Sequence, residues 1–407
     1  MVQIYTSAFI SVNISYLKIM SVLVPNFPGF LPVPGTIVNF WLLFIFVRTK
    51  IKISVLLSLL SLCIFAFASS IYHQIFSLKY FIILCLPILL IICVRSAIPH
   101  SVMILRLIFN SLVFLSLAFV LNFDFLDMFL KPLFGQSAGI SGAGGGIRGI
   151  GLIYPEPSHA APVLILMLHF ILINSRAFLR NSNQITLLSL LFFLFYIFRS
   201  GSLALYFAVY MSFFLIFYKT HLGKKLLTLF FVGFIVLIGY LLVPEARFFQ
   251  VFIKLSDLIR SGTLSIEKTA LLASGRFIAN YVWIVSGLQS IFGLGFDFNV
   301  PSFIIYSDNL QVNYKLIGAF DRRGLEGLPV LPRSWLAVTV GTFGYLGILI
   351  TVFVLYLYSS EIKNSVLGVA PNSIPLIAFA AFYILVVGFP GNPIPWLAFL
   401  MAGIRNP

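Results

Sequence analysis

Apolar blocks of roughly 15 to 20 residues recur along the whole chain, each long enough to cross the hydrocarbon core of a bilayer as a helix. A backbone in hydrocarbon must satisfy its own hydrogen bonds, which leaves only helices and closed barrels. No alternating pattern of the barrel kind is present. Of 407 residues, 60% are hydrophobic and 9% charged, so the expected fold is an all-α polytopic membrane protein. Spans are expected near 5–24, 31–47, 53–72, 80–94, 101–121, 158–174, 185–198, 202–218, 226–243, 334–357, 373–388 and 393–404. That makes about 12 transmembrane helices, or about 11 without the last, which Pro390, Pro393 and Pro395 interrupt. Residues 1–407 read as a single integral-membrane domain with no soluble domain on either side. Cys63, Cys85 and Cys93 fall within apolar blocks and read as packing residues.

Basic residues in short connections mark one side as cytoplasmic, beginning with Arg48, Lys50 and Lys52 and continuing through Arg95, Arg176 and Arg180. Two long stretches then face the opposite side: a glycine-rich loop at 122–157 and the largest loop, 244–333. Within the latter, FIANYVWIVSGLQSIFGLGF (277–296) is apolar enough to span, but Asn280, Gln289 and several Gly and Ser dilute it. It is expected to be a helix lying at the interface. Upstream, ARFFQVFIKLSDLIR places Arg247, Lys254 and Asp257 on one helical face and Phe248, Val251, Phe252, Leu255 and Leu258 toward the other. An amphipathic helix resting among headgroups is expected there.

The net charge is +15. By this topology every acid except Glu361 lies outside, together with about half of the basic residues, so the external arginines are not topology signals. Guanidinium groups match phosphate oxygens with paired donors and stay charged when partly buried. An anionic, phosphate-bearing substrate at the external face follows. For Arg247, Arg260, Arg322 and Arg323 ion pairing with neighbours such as Asp257, Asp321 and Glu326 is an equal alternative. Arg148, Arg199 and Arg276 have few acids nearby in sequence and sit at the edges of apolar helices, where an ionised group is costly without a partner or a task.

In RGIGLIYPEPSHAAP (148–162), Pro157 steers Glu156 away from helix and suits the first turn of the span that follows. His159 then stands at an exposed helix start, where the macrodipole disfavours imidazolium, and a neutral imidazole can accept a proton. Asp124 and Asp127 are the nearest carboxylate pair and lack a third ligand, so no metal is expected, and nothing points to another cofactor or to nucleic acid. No nucleophile elbow is present.

Four ordered patches between about residues 148 and 357 resemble the O-antigen polymerase and ligase superfamily of bacterial envelopes. They are RGIGLIYPEPSHAAP, the tight return FRSGSLAL, SGRFIANYVWIVSGLQSIFGLGF and PRSWLAVTVGTFGYLGIL. Glu-Pro-Ser-His after Arg-x-x-Gly resembles the polymerase branch. The ligase pattern usually has a histidine at the start of the span after the large loop, where this chain has Arg333, Ser334 and Trp335.

The resemblance implies a GT-C-like glycosyltransferase in the bacterial inner membrane with its active site facing the periplasm. The substrate would be an oligosaccharide repeat unit carried on undecaprenyl pyrophosphate, and the product an O-antigen, capsular or exopolysaccharide chain. A chain-length regulator protein would be a partner alongside the bilayer. Arg199 and Arg276 would clamp pyrophosphate, with Arg148 or Arg333 assisting and Arg322 and Arg323 as further substrate contacts. His159 or Glu156 would orient or deprotonate the attacking hydroxyl. Two alternatives stand beside this: transfer of finished polymer to lipid A core, and a transporter or flippase for lipid-linked sugars. A transporter should show two related halves and charges along a central cavity, whereas here the ionisable residues crowd one face.

Overall fold

The computed structural model describes residues 53–94, 209–216, 247–262, 276–312, 334–364 and 374–387, with Ile165, Gly223, Leu226, Leu237, Tyr240, Leu241, Pro332 and Trp396 as single positions. Every element among the described residues is helical, and no strand occurs among them. In chain order they are α1 (Ile53–His73), α2 (Leu78–Val94), α3 (Arg247–Arg260), α4 (Arg276–Leu288), α5 (Val300–Asn309), α6 (Trp335–Phe343), α7 (Tyr345–Asn364) and α8 (Ile374–Phe382). A π-helical turn, Tyr383–Val387, continues α8. The expected spans near 5–24, 31–47, 101–121, 158–174, 185–198, 226–243 and 393–404 lie outside the described residues, single positions apart.

α1 is 21 residues of almost unbroken apolar sequence, about 31 Å of helix. By length and composition it is able to cross a membrane. Its buried residues, Val55, Ser58, Leu62, Ala66, Ser69 and Ser70, recur at helical spacing and face inward. The other face is a continuous stripe of exposed large apolar side chains from Ile53 through Leu60 and Ile64 to Tyr72. Serine hydroxyls within the run turn back on the helix: Ser58 Oγ donates to the Ser54 carbonyl at 2.6 Å and Ser70 Oγ to the Ala66 carbonyl at 2.7 Å. Gln74 takes a positive φ of 54° and ends the helix, and a short link leads into α2, which packs back on α1. Cys63 and Cys85 are free thiols on these two facing helices.

Pro87 lies inside α2. Proline has no N–H, so the carbonyl four residues earlier, Ile83, loses its helical donor. The Trp335 indole replaces it, donating from Nε1 to the Ile83 carbonyl at 3.2 Å. One turn on, the Tyr358 hydroxyl donates to the Pro87 carbonyl at 2.7 Å. Both rings meet Trp396, with centroid separations of 5.2 Å for Trp335 and 5.0 Å for Tyr358.

That convergence is incompatible with one straight span over 334–357, which would hold Trp335 and Tyr358 about 35 Å apart. Instead the chain turns at Gly344, whose φ of 60° and ψ of −131° suit only glycine, and α7 folds back so that Gly347 lies against the backbone of Thr339. α6 therefore ends at Phe343, with carbonyls that the helix itself cannot satisfy. The turn after α4 supplies the donors: Leu294 N–H to the Gly341 carbonyl at 2.8 Å and Gly295 N–H to the Thr342 carbonyl at 3.2 Å.

α4 itself differs from the expected helix over 277–296. It stops at Leu288, and turns occupy 289–296, with Gly293 and Gly295 at φ of 69° and 68°. At 13 residues it is about 20 Å long, shorter than a bilayer core. Most of it is buried against protein, including Ile278, Ala279, Val282, Trp283 and Ser286. Asn280, which on sequence dilutes an apolar run, is buried and donates from Nδ2 to the Val386 carbonyl at 2.7 Å, within the π-helical turn. Gly287 makes the α4–α6 approach close enough that a β-carbon there would lie 2.5 Å from the Val340 carbonyl oxygen.

α3 forms where the amphipathic periodicity places it. Lys254, Asp257 and Arg260 are exposed on it, as are Ile253 and Ile259.

Candidate functional site

The packed unit α4–turn–α5–α6 lies within and just after the largest loop expected from the sequence. Its centre is Trp283, fully buried on α4 and ringed by Phe298 at 4.9 Å, Phe303 at 5.5 Å and Tyr306 at 6.0 Å between centroids. The aromatic cluster fixes α5 on α4, and a polar rim crosses its edge. Asn299 caps α5, its side chain accepting from the Ser302 N–H at 2.8 Å. The Asp297 carboxylate accepts from Ser302 Oγ at 2.5 Å and from Asn299 Nδ2.

Tyr306 stands one turn further along α5. Burial beside the aromatic cluster, and then the nearby Asp297 carboxylate, push its phenol above the ordinary tyrosine range. It is therefore a neutral hydroxyl over the physiological range, able to donate to a ligand oxygen. Asp297 already accepts from two neighbours and serves first to hold the helix start. A short polar sequence, Asp-x-Asn-x-x-Ser ahead of an apolar helix, is the signal that would have drawn attention to this rim.

Of the residues singled out from sequence, Arg276 is the first residue of α4. His159, Glu156, Arg148, Arg199, Arg322, Arg323 and Arg333 lie outside the described residues. Arg333 immediately precedes Ser334, whose hydroxyl caps α6 by accepting from the Ala337 N–H at 3.1 Å. α4 and α6 are the most extensively packed pair of helices among the described residues, meeting where Gly287 lies against Val340 and Gly341. Helix starts carry free N–H groups and the positive end of the macrodipole, both favourable to an anion.

No group of three or more His, Cys, Asp or Glu able to hold a metal ion occurs among the described residues. No family model, no curated protein and no solved structure matches this chain.

Proposed function

We propose that the chain is an integral-membrane glycosyltransferase that polymerises lipid-linked oligosaccharide repeats at the external face of the bacterial inner membrane, with about 12 spans in a GT-C-like arrangement. The single observation that carries the reading is Arg276 as the first residue of α4, a helix packed on α6. A guanidinium at a helix start suits a phosphate oxygen.

In the reaction a hydroxyl at the non-reducing end of a new lipid-linked unit attacks the anomeric carbon of the growing chain. The bond from that carbon to the pyrophosphate oxygen breaks, and undecaprenyl pyrophosphate leaves with the electron pair. The hydroxyl proton passes to His159 or Glu156. The leaving group is already strongly anionic and needs no proton, so catalysis comes from cationic stabilisation and from positioning. Arg199 and Arg276 hold the diphosphate, Arg148 and Arg333 assist, and Arg322 and Arg323 contact the glycan. Direct displacement inverts the anomeric configuration.

The test is incubation of purified protein in vesicles with a synthetic undecaprenyl-pyrophosphate repeat, without added metal. A ladder of products spaced by one repeat supports the reading. Unchanged substrate, or transfer only when a lipid A core acceptor is added, overturns it.

A further inference from the structure

Between the end of α4 and the start of α5 the chain runs Ser-Ile-Phe-Gly-Leu-Gly-Phe, with no charged residue from Gln289 to Phe296. The backbone of this turn faces the protein. Gly293 N–H donates to the Ser290 carbonyl at 3.2 Å, and Leu294 and Gly295 donate to the broken end of α6. His73 Nε2, in its protonated tautomer, donates to the Phe292 carbonyl at 3.4 Å. The side chains at the tip face the other way. Ile291 is 71% exposed and Phe292 57%.

A large apolar tip on a turn whose Gly293, Leu294 and Gly295 amides are already bonded suits a hydrocarbon environment. The tip also continues a longer surface. The Phe292 ring lies 5.5 Å from Tyr72, where the exposed apolar stripe of α1 ends. On the other side Ser290 abuts Gly344, and Tyr345, the next residue, is exposed at the head of α7, followed along that helix by exposed Leu349, Val352 and Tyr356. The turn therefore bridges two apolar helix faces, with an exposed tyrosine at the adjoining end of each. Tyrosine is enriched at the level where hydrocarbon meets headgroups. Gly293, Gly295 and Gly344 hold the turn in one shape, since β-carbons at 293 and 295 would meet the Gly344 nitrogen at 2.5 Å and the His73 side chain at 2.8 Å.

We propose that the turn Ser290–Phe296 is a membrane anchor that seats Ile291 and Phe292 among the acyl chains of the outer leaflet. It fixes the height of α4, and with it Arg276, relative to the headgroups. This rests on the membrane reading above, and its test separates the two. Single cysteines are placed at Ile291, Phe292, Leu60 on the α1 stripe and the exposed Asp308 on α5, in a chain whose Cys63, Cys85 and Cys93 are serine. Each is given a nitroxide label in vesicles of phosphatidylethanolamine and phosphatidylglycerol, and its relaxation by oxygen and by a water-soluble nickel chelate is compared.

Labels at 291 and 292 are expected to be relaxed several-fold more by oxygen than by nickel, as at Leu60, and to lie shallower than Leu60, with Asp308 showing the reverse. Nickel accessibility at 291 and 292 equal to that at Asp308, or protection from both reagents, overturns the anchor while leaving the membrane reading in place. Nickel access at Leu60 overturns the membrane reading and the anchor with it.

Discussion

The Trp335 indole donates to the Ile83 carbonyl at 3.2 Å, the carbonyl whose helical donor Pro87 cannot supply. A local defect in α2 is thereby repaired by a residue 252 positions further along the chain. Replacing Trp335 with Phe should leave that buried oxygen unpaired, at a cost of about 1–3 kcal/mol. Pro87→Ala restores an intrahelical N–H. In the Pro87→Ala background the loss from Trp335→Phe should shrink by more than half, read as the midpoint of thermal unfolding in detergent. Strictly additive losses would show that the two residues are not linked through Ile83.

Gly344 holds the α6–α7 turn. Its φ of 60° disfavours any side chain, and a β-carbon would collide with the Ser290 carbonyl oxygen. Gly344→Ala should abolish the monodisperse peak in size-exclusion chromatography. Gly223→Ala, at an open helical position with nothing near its β-carbon, should behave as wild type. A well-folded Gly344→Ala protein would contradict the hairpin.

Tyr306 carries a pH signature. Because its folded pKa is raised by burial and then by Asp297, the stability it contributes is fully present below the ordinary tyrosine pKa of about 10. It is lost as pH rises through the folded value. Asp297→Asn should move the Tyr306 titration down, part of the way toward the ordinary range, because burial remains. The difference in tyrosinate absorbance between each protein and its Tyr306→Phe counterpart reads this directly. An unmoved titration would remove the carboxylate as a cause.

Much of this architecture is legible in sequence, for identifiable reasons. α1 and α2 follow from apolar blocks of the right length, α3 from amphipathic spacing, and α8 from the block at 373–388. The break at Gly344 is hidden, because WLAVTVGTFGYLGILI has no proline or charge to mark it and the donors that make the break tolerable come from Leu294 and Gly295. The end of α4 at Leu288 is hidden for the same reason, since its turn is completed by α6. Asn280 reads as a polar impurity until the Val386 carbonyl appears beside it. The arginine chemistry is visible as composition and position, but the packing of α4 on α6 at Gly287 is a tertiary fact that no local pattern encodes.

The arginines themselves make a kinetic prediction. Removing one preorganised donor to a developing anion costs about 10²–10³ in rate. Arg276→Ala and Arg199→Ala should each slow chain extension by about that factor at unchanged protein abundance, measured as ladder formation from the lipid-linked repeat. Extension at the wild-type rate in either variant would remove that residue from the diphosphate site.

The central claim, that these guanidinium groups gather on the external face, is tested most directly by compartment mapping. Arg199→Cys and Arg276→Cys are placed singly in the cysteine-free chain, and intact cells are treated with a membrane-impermeant thiol reagent that reaches only the external side. Labelling of both from outside is the expected result. Labelling of the two from opposite compartments would contradict the account.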